Sequence, residues 1–188
     1  MKKGLIIVIA LVAVVAILGG SLVSSYNGLV EKQANVENAD AQIQVQLQRR
    51  ADLIPNLVNT VKGYAAHEES VYSALADARA KLNSASTPEE YTEANASFES
   101  ALSRLLVVVE NYPELKADKN FIALQDQLEG TENRISTARK DYNDVATDYN
   151  TSIKKFPTVI IAGMFGFEKV DLFEATEASQ SAPTVDFE

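Results

Sequence analysis

The chain begins with a long uncharged apolar segment that limits what the rest of it can be. Gly4–Val23 is a run of 20 residues rich in Ile, Val, Leu and Ala. As a helix rising about 1.5 Å per residue, it is about 30 Å long, the thickness of a bilayer's hydrocarbon core. Lys2 and Lys3 precede the run, and only Lys32 follows closely. The positive-inside rule therefore predicts a single-pass membrane protein with a cytoplasmic N-terminus.

A cleaved signal peptide is the alternative for this segment. The apolar part of a signal peptide is usually about 7–15 residues long and ends at small residues. Val23 and Ser25 would form a poor cleavage site of that kind, so an uncleaved anchor in a bacterial cell membrane is favoured. The larger part of the chain would then be periplasmic or extracellular. We divide the chain into stub and anchor (1–25), helical domain (26–156) and tail (157–188).

Beyond the anchor, apolar residues recur every seven positions, with a second series three or four residues away. This spacing places them on one stripe of a helix. Breaks near Ser84 and Tyr112 separate three such segments, and no strand-type alternation competes with them. The pattern predicts an all-α, left-handed helical bundle. The stripes contain Leu47, Ile54, Leu57, Val61, Val71, Leu75, Ala78 and Leu82; Tyr91, Phe98, Leu105 and Tyr112; and Phe121, Leu128, Ile135, Tyr142, Tyr149 and Phe156, with a weaker series at Leu29, Val36 and Ile43.

The sequence also indicates where several helices begin and end. Thr87 can cap a helix that starts with Pro88, and Glu90 completes a capping box. Asp118 is a suitable cap for the third segment, and Pro157 a suitable stop.

Pro55 leaves the number of helices open. A proline inside a helix loses a backbone hydrogen bond and costs about 3 kcal/mol or more. It can kink one long helix, which the unbroken heptad phase from Leu47 to Leu82 favours. It can instead split that helix and give a bundle of four helices rather than three.

Composition excludes several classes of function. The net charge is −9, with no cysteine and one histidine. A basic footprint for nucleic acid is missing, as are disulfides and thiolate chemistry. His67 is the only histidine and no catalytic motif is present, so acid–base chemistry lacks its usual agent. We predict no catalytic residues, no metal site, no cofactor and no small-molecule substrate.

Two charged residues interrupt the stripe of the first segment. An isolated charge at Arg50 or Glu68 would cost several kcal/mol on burial. The two lie 18 residues apart, about 27 Å along one helix, so each needs a partner on another helix. We favour a structural ion pair that fixes helix register over a polar binding cleft. The partners considered are Glu110, Glu132, Arg134 and Arg139.

Tyr-Asn dipeptides recur at Tyr142–Asn143 and Tyr149–Asn150. The favoured interpretation is that the rings fill the core while the hydroxyls find polar partners at its edge. A ligand groove lined by Asn amides is the alternative.

The tail has two parts. Pro157–Phe167 is apolar, and its 11 residues are too few to span a membrane. It is core, interface or bilayer surface. The remainder is acidic, and from Glu174 onward its composition is typical of disorder.

The chain resembles the LemA family along nearly its whole length. The resemblance implies a four-helix up-and-down bundle, which favours a split or sharp bend at Pro55, and it implies no established enzymatic activity. Many members carry a Trp near the position of Ala41, whereas this chain has none. The residues that carry the resemblance are the N-terminal anchor, Tyr26–Val30, Leu47–Val58, Val61–Tyr64, His67–Glu68, Glu110–Leu115, Asn120–Phe121, Glu129–Arg134, Ala138–Arg139, Tyr142–Asn143, Tyr149–Asn150, Phe156–Pro157 and Gly166–Phe167.

These features together predict a membrane-anchored, non-enzymatic scaffold or adaptor at the cell envelope. It would act through protein partners or through self-association. A lipid-binding or small-ligand module at the membrane surface is the alternative, and an enzyme is the least favoured reading.

Overall fold

The computed structural model describes residues 2–174, with side chains from residue 4 onward, and in that part of the chain it contains helices and no strands. The all-α prediction is confirmed. Acidic residues beyond Glu174, for which the sequence predicts disorder, lie outside the described residues. The helices are α1 (Lys2–Lys62), α2 (Glu69–Ser84), α3 (Pro88–Val109), α4 (Pro113–Lys116), α5 (Lys119–Ser152) and α6 (Thr158–Phe165).

The first helix is not split at its proline. Pro55 lies inside α1, and the chain breaks instead at residues 63–68, between α1 and α2. The heptad phase predicted a continuous helix through this break, and that prediction is wrong. Tyr64 and Glu68 occupy stripe positions in the heptad count, but Tyr64 is exposed and Glu68 is half-buried. The stripe is therefore interrupted at the same place as the helix. The split or sharp bend that the family resemblance favoured occurs here and not at Pro55.

Local chemistry explains where α1 stops. Gly63 directly follows the helix, and glycine is a poor helix former. The amide groups of Tyr64 and Ala65 both donate to the carbonyl oxygen of Val61, at 3.0 and 2.9 Å. The hydroxyl of Tyr72 in α2 donates to the carbonyl oxygen of buried Ala65 at 2.6 Å. The turn is therefore held by α2 itself.

The start of α1 has the properties of a membrane anchor. It is the one helix among the described residues that is long and apolar enough to cross a membrane. Every side chain in Gly4–Val23 is exposed. A contiguous apolar surface of this size is unfavourable in water, and it is what a bilayer covers.

Contacts group the residues into two compact units. The first, unit 1, contains the chain up to Asp40 together with Asp141–Asp171. Lys32 and Asp148 form an exposed ion pair within it. The sequence-based boundaries at residues 25 and 156 remain predictions. The buried side chains of unit 1 are Leu29, Val36, Tyr142, Ala146, Tyr149, Asn150, Ile153, Ile161 and Ala162.

The second group, unit 2, contains Ala41–Lys140 and the chain from Leu172. Helices α2 and α3 pack against each other, and the Lys81 ammonium group lies 3.2 Å from the Ser97 hydroxyl and 3.8 Å from Glu93. Phe156 of unit 1, which the heptads placed on a buried stripe, is 80% exposed, and that prediction is wrong. The stripe residues that fall in unit 2 form most of its core. Its buried apolar residues include Ile43, Leu47, Ile54, Leu57, Val61, Leu75, Phe98, Leu105, Leu115, Phe121, Leu128 and Ile135.

The predicted cap of α3 is present. The Thr87 side chain accepts a hydrogen bond from the Glu90 amide at 3.2 Å, and Pro88 occupies the first turn. Thr87→Ala is expected to lower the free energy of unfolding by about 1 kcal/mol, because a donor at the helix end loses its acceptor. Chemical denaturation measures this. Thr137→Ala, at an exposed interior position of α5, should be neutral or slightly stabilising, and equal losses in both variants would contradict the capping role.

Asp118 caps α5. Its Oδ1 accepts from the amides of Phe121 and Asn120 at 3.0 and 2.8 Å, and its Oδ2 accepts from the Tyr64 hydroxyl at 3.0 Å. The pKa of the carboxyl is held below its ordinary value chiefly by the hydrogen bond from Phe121, with smaller contributions from Tyr64 and Asn120. The charged form is thus favoured in the folded state.

This lowered pKa predicts an acid-dependent stability. The contribution of Asp118 is complete above the ordinary carboxyl pKa of about 4 and is lost as the pH falls through the lower folded-state value. Urea unfolding at pH about 7 and about 3 should show a smaller acid-induced loss in Asp118→Asn than in the wild type. Asp126→Asn, exposed on the same helix, should behave like the wild type. An unchanged acid-induced loss in Asp118→Asn would refute this role.

Candidate functional site

The most deeply buried charge in the described residues belongs to Arg50, whose relative exposure is 1%. Its Nη1 donates to Glu132 Oε2 at 2.5 Å and to Asn95 Oδ1, and its Nη2 donates to Glu99 Oε1. The guanidinium carbon lies 4.2 Å from the centroid of the Phe98 ring. We call these five residues the Arg50 centre.

Helix geometry explains why the partners converge. Asn95, Phe98 and Glu99 are spaced three and four residues apart on α3, so they share one face of that helix. Arg50 comes from α1 and Glu132 from α5. The planar guanidinium can bond several acceptors in its plane while its face stacks on an aromatic ring, and a lysine ammonium group has no such planar face. One side chain therefore ties three helices of unit 2 together.

Arg139 lies beside this centre. Its Nη2 is 3.5 Å from the carbonyl oxygen of Tyr91, and its guanidinium carbon is 5.3 Å from the Phe173 ring. Burial lowers the pKa of Arg139, Glu132 opposes that shift and the charge of Arg50 adds to it. The Tyr91 and Phe173 rings stack, with centroids 6.2 Å apart. Arg139 thus packs against the Phe173 ring at the edge of the same cluster.

The other three candidates lie elsewhere, and Arg134 is exposed on α5. Glu68 is in the turn before α2 and its side chain makes no capping hydrogen bond. The Glu110 carboxylate is exposed and binds the Lys116 ammonium group at 2.7 and 2.8 Å. Among the sequence candidates, the structure brings Arg50, Glu132 and Arg139 together and leaves these two glutamates apart.

Sequence reasoning missed Asn95 and Glu99 as partners of Arg50. A signal for Asn95 was available, because it lies four residues after Tyr91 and three before Phe98 and is therefore a polar residue on the α3 stripe. Asn95 is buried in the structure. Glu99 carries no such signal, since its carboxylate is half-exposed and the sequence pattern matches that of an ordinary solvated face.

The Tyr-Asn residues of unit 1 bind the chain's own backbone. The Asn150 amide donates to the carbonyl oxygen of Val170 at 2.8 Å and accepts from the Val170 amide at 2.9 Å. The Tyr142 hydroxyl donates to the carbonyl oxygen of Asp171 at 2.9 Å, and burial raises the pKa of the Tyr142 phenol. The Asn150 amide, which the alternative interpretation placed in a ligand groove, thus binds the backbone of Val170 instead.

The arrangement of the Arg50 centre is suited to support rather than reaction. Its two carboxylates accept hydrogen bonds from the same cation, and its ring covers that cation's face. Such a network fixes the register of packed helices because any sliding would leave a buried charge without its partners. Together with the apolar start of α1, it defines a membrane-associated helical-bundle protein.

Comparison with known proteins places the chain within that class. The LemA family model matches residues 39–187, and the chain belongs to the LemA family. It is 28% identical over 94% of its length to magnetosome protein MamQ 2 of Paramagnetospirillum magneticum, covering 74% of that protein. It is 26% identical, with the same coverages, to magnetosome protein MamQ of Magnetospirillum gryphiswaldense. It is 27% identical to Protein LemA of Metamycoplasma hominis over 80% of this chain and 69% of that protein.

Proposed function

We propose that this LemA-family chain is a membrane-anchored, non-enzymatic scaffold at the cell envelope, which presents its helical bundle to protein partners or to further copies of itself. Gly4–Val23 is the anchor. Lys2 and Lys3 favour a cytoplasmic N-terminus, and the bundle then lies on the outer side of the membrane. The names of the relatives, magnetosome protein and Protein LemA, mention no reaction, in agreement with a role in assembly.

The observation that carries this proposal is the Arg50 centre. A buried arginine between two glutamates is the part of the chain where chemistry would be sought first. Arg50 instead forms hydrogen bonds with side chains of α3 and α5, and its guanidinium stacks on the Phe98 ring of α3. The charged groups that interrupt the apolar core are accounted for by helix packing. The outer surface of the helices remains as the part that can act on partners.

Photo-crosslinking in the native host tests the proposal. A photo-reactive amino acid is placed in the full-length chain at exposed apolar positions on three helices of unit 2, namely Val45, Val107 and Ile122. We expect reproducible adducts, from at least one position, with a small set of proteins or with a second copy of the chain. The matched control on α3 is the photo-reactive amino acid in place of Leu105, which is fully buried. This variant should give no intermolecular adduct.

Each outcome has a distinct meaning. Adducts with a few foreign proteins identify the scaffold's clients, and adducts with the chain itself identify a homo-oligomeric scaffold. The absence of intermolecular adducts from all three exposed positions, in a protein that is correctly inserted and folded, would refute the scaffold proposal.

A further inference from the structure

Helix α6 of unit 1 has apolar residues on both of its faces. Ile161 and Ala162 are buried against the unit. On the opposite face, Val159, Ile160 and Met164 are exposed, with relative exposures of 42, 48 and 71%, and Phe156, two residues before the helix, is 80% exposed. At about 100° per residue, Val159, Ile160 and Met164 fall within about 140° of the helix circumference and so share one face. An exposed stripe of this size is unfavourable in water and requires a cover.

The contacts of α6 place its C-terminal end against α1 just beyond the predicted anchor. The Tyr26 ring lies 4.8 Å from the ring of Phe165 and 5.8 Å from that of Phe167. Tyr26 follows Val23 by three residues, which is about 4.5 Å along the helix axis. Tyrosine is enriched at this boundary because its ring is apolar and its hydroxyl is wet. With Gly4–Val23 inserted, this contact puts the C-terminal end of α6 at the level of the membrane–water interface.

Charge and helix geometry fit the same position. Pro157–Phe167 contains no charged residue, and exposed Lys154 and Lys155 come just before it. Lysines beside an apolar surface helix are attracted to anionic headgroups while their stems stay along the apolar surface. Gly166, at a φ of 75°, ends α6 with a left-handed cap, a conformation that glycine adopts without strain. The chain can thus leave the interface directly after the helix.

We infer that α6 is a second membrane contact, an interfacial helix whose exposed stripe of Val159, Ile160 and Met164 lies in the headgroup and upper acyl region of the bilayer beside the anchor. It does not span the membrane. Two contacts, one spanning and one lying flat, fix the rotation of unit 1 about the anchor, which a single transmembrane helix leaves free. The inference rests on insertion of Gly4–Val23, which the proposed function also assumes, but it is independent of the scaffold role.

The chain has no tryptophan, so a single introduced tryptophan reports its own depth. Met164→Trp is placed in the full-length chain in vesicles of phosphatidylcholine and phosphatidylglycerol that carry lipids brominated near the headgroup or near the chain end. We expect blue-shifted emission and several-fold stronger quenching by the shallow bromines than for Asn38→Trp. Asn38 is exposed in unit 1, 15 residues beyond Val23, about 22 Å along α1.

A second pair of variants separates the possible failures. Leu11→Trp, in the middle of the anchor, should be quenched most by the deep bromines. If Leu11→Trp is quenched and Met164→Trp behaves like Asn38→Trp, the anchor stands and the α6 inference is wrong. If Met164→Trp is blue-shifted but insensitive to bromine, a second copy of the chain covers the stripe, and the inference is again wrong. If Leu11→Trp is not quenched, both the inference and the anchored function fail.

A charge on the stripe provides a further check. Adding Ile160→Asp to Met164→Trp should reduce quenching by the shallow bromines to the level of Asn38→Trp, because a carboxylate on that face resists burial in the acyl region. Far-UV circular dichroism should remain unchanged, since Ile160 is exposed. Undiminished quenching in this double variant would contradict the assignment of the face.

Discussion

Arg50→Ala is expected to lower the free energy of unfolding by about 3 kcal/mol, because it removes the cation that three helices of unit 2 share. The value is at the lower end for a broken buried ion pair, since Glu99 and Glu132 are half-exposed and can turn to water. For a chain of this size the loss corresponds to a fall in Tm of about 6–12 °C. Thermal and chemical denaturation of the full-length protein in detergent measure it.

Two matched variants define what this result means. Lys81→Ala removes one partner of an exposed ion pair in the same unit and should cost less than about 1 kcal/mol. Arg50→Lys keeps the charge but loses the planar fork, so its loss should fall between those of the other two variants. Equal losses for Arg50→Ala and Lys81→Ala would show that the Arg50 centre does not hold the helices together.

Phe98→Ala is expected to cost about 3–5 kcal/mol. The ring is completely buried, so its removal leaves a cavity in the core and also uncovers one face of the Arg50 guanidinium. Val107→Ala, on the same helix at 69% exposure, is the control and should change stability by less than about 0.5 kcal/mol. A Phe98→Ala loss as small as that of the control would contradict the placement of α3 in the core.

The heptads predicted the core well because side-chain burial follows the helical period. Leu47, Ile54 and Leu75 lie in the core of unit 2, and even the weak series at Leu29 and Val36 is buried. The break at residues 63–68 could not be predicted by phase. The residues of the break leave the helix, yet their number keeps the seven-residue spacing on either side. The hydrogen bond from Tyr72 that holds this turn is a tertiary contact, which the spacing does not report.

The candidate site was predictable only in part, for a physical reason. The position of Arg50 on an apolar stripe predicts that its charge is buried and needs partners. Which residues become those partners depends on the register between helices. Glu132 was among the residues considered, and the structure bonds it to Arg50. Glu110 was considered too, yet it binds Lys116, six residues away. Heptad spacing fixes which face of a helix is buried and leaves open which turn of the neighbouring helix lies opposite.

The central claim is that the bundle acts through its surface and that its buried charges serve packing. The most direct test is the photo-crosslinking pattern of a full-length variant in which Arg50→Met, Glu99→Gln and Glu132→Gln together remove the charges of the centre while keeping its shape, a change that often costs little stability. With the photo-reactive residue at whichever of Val45, Val107 and Ile122 gives adducts when the centre is intact, we predict that the variant gives the same intermolecular adducts. A variant that is inserted and folded but loses those adducts would show that the Arg50 centre itself carries the function.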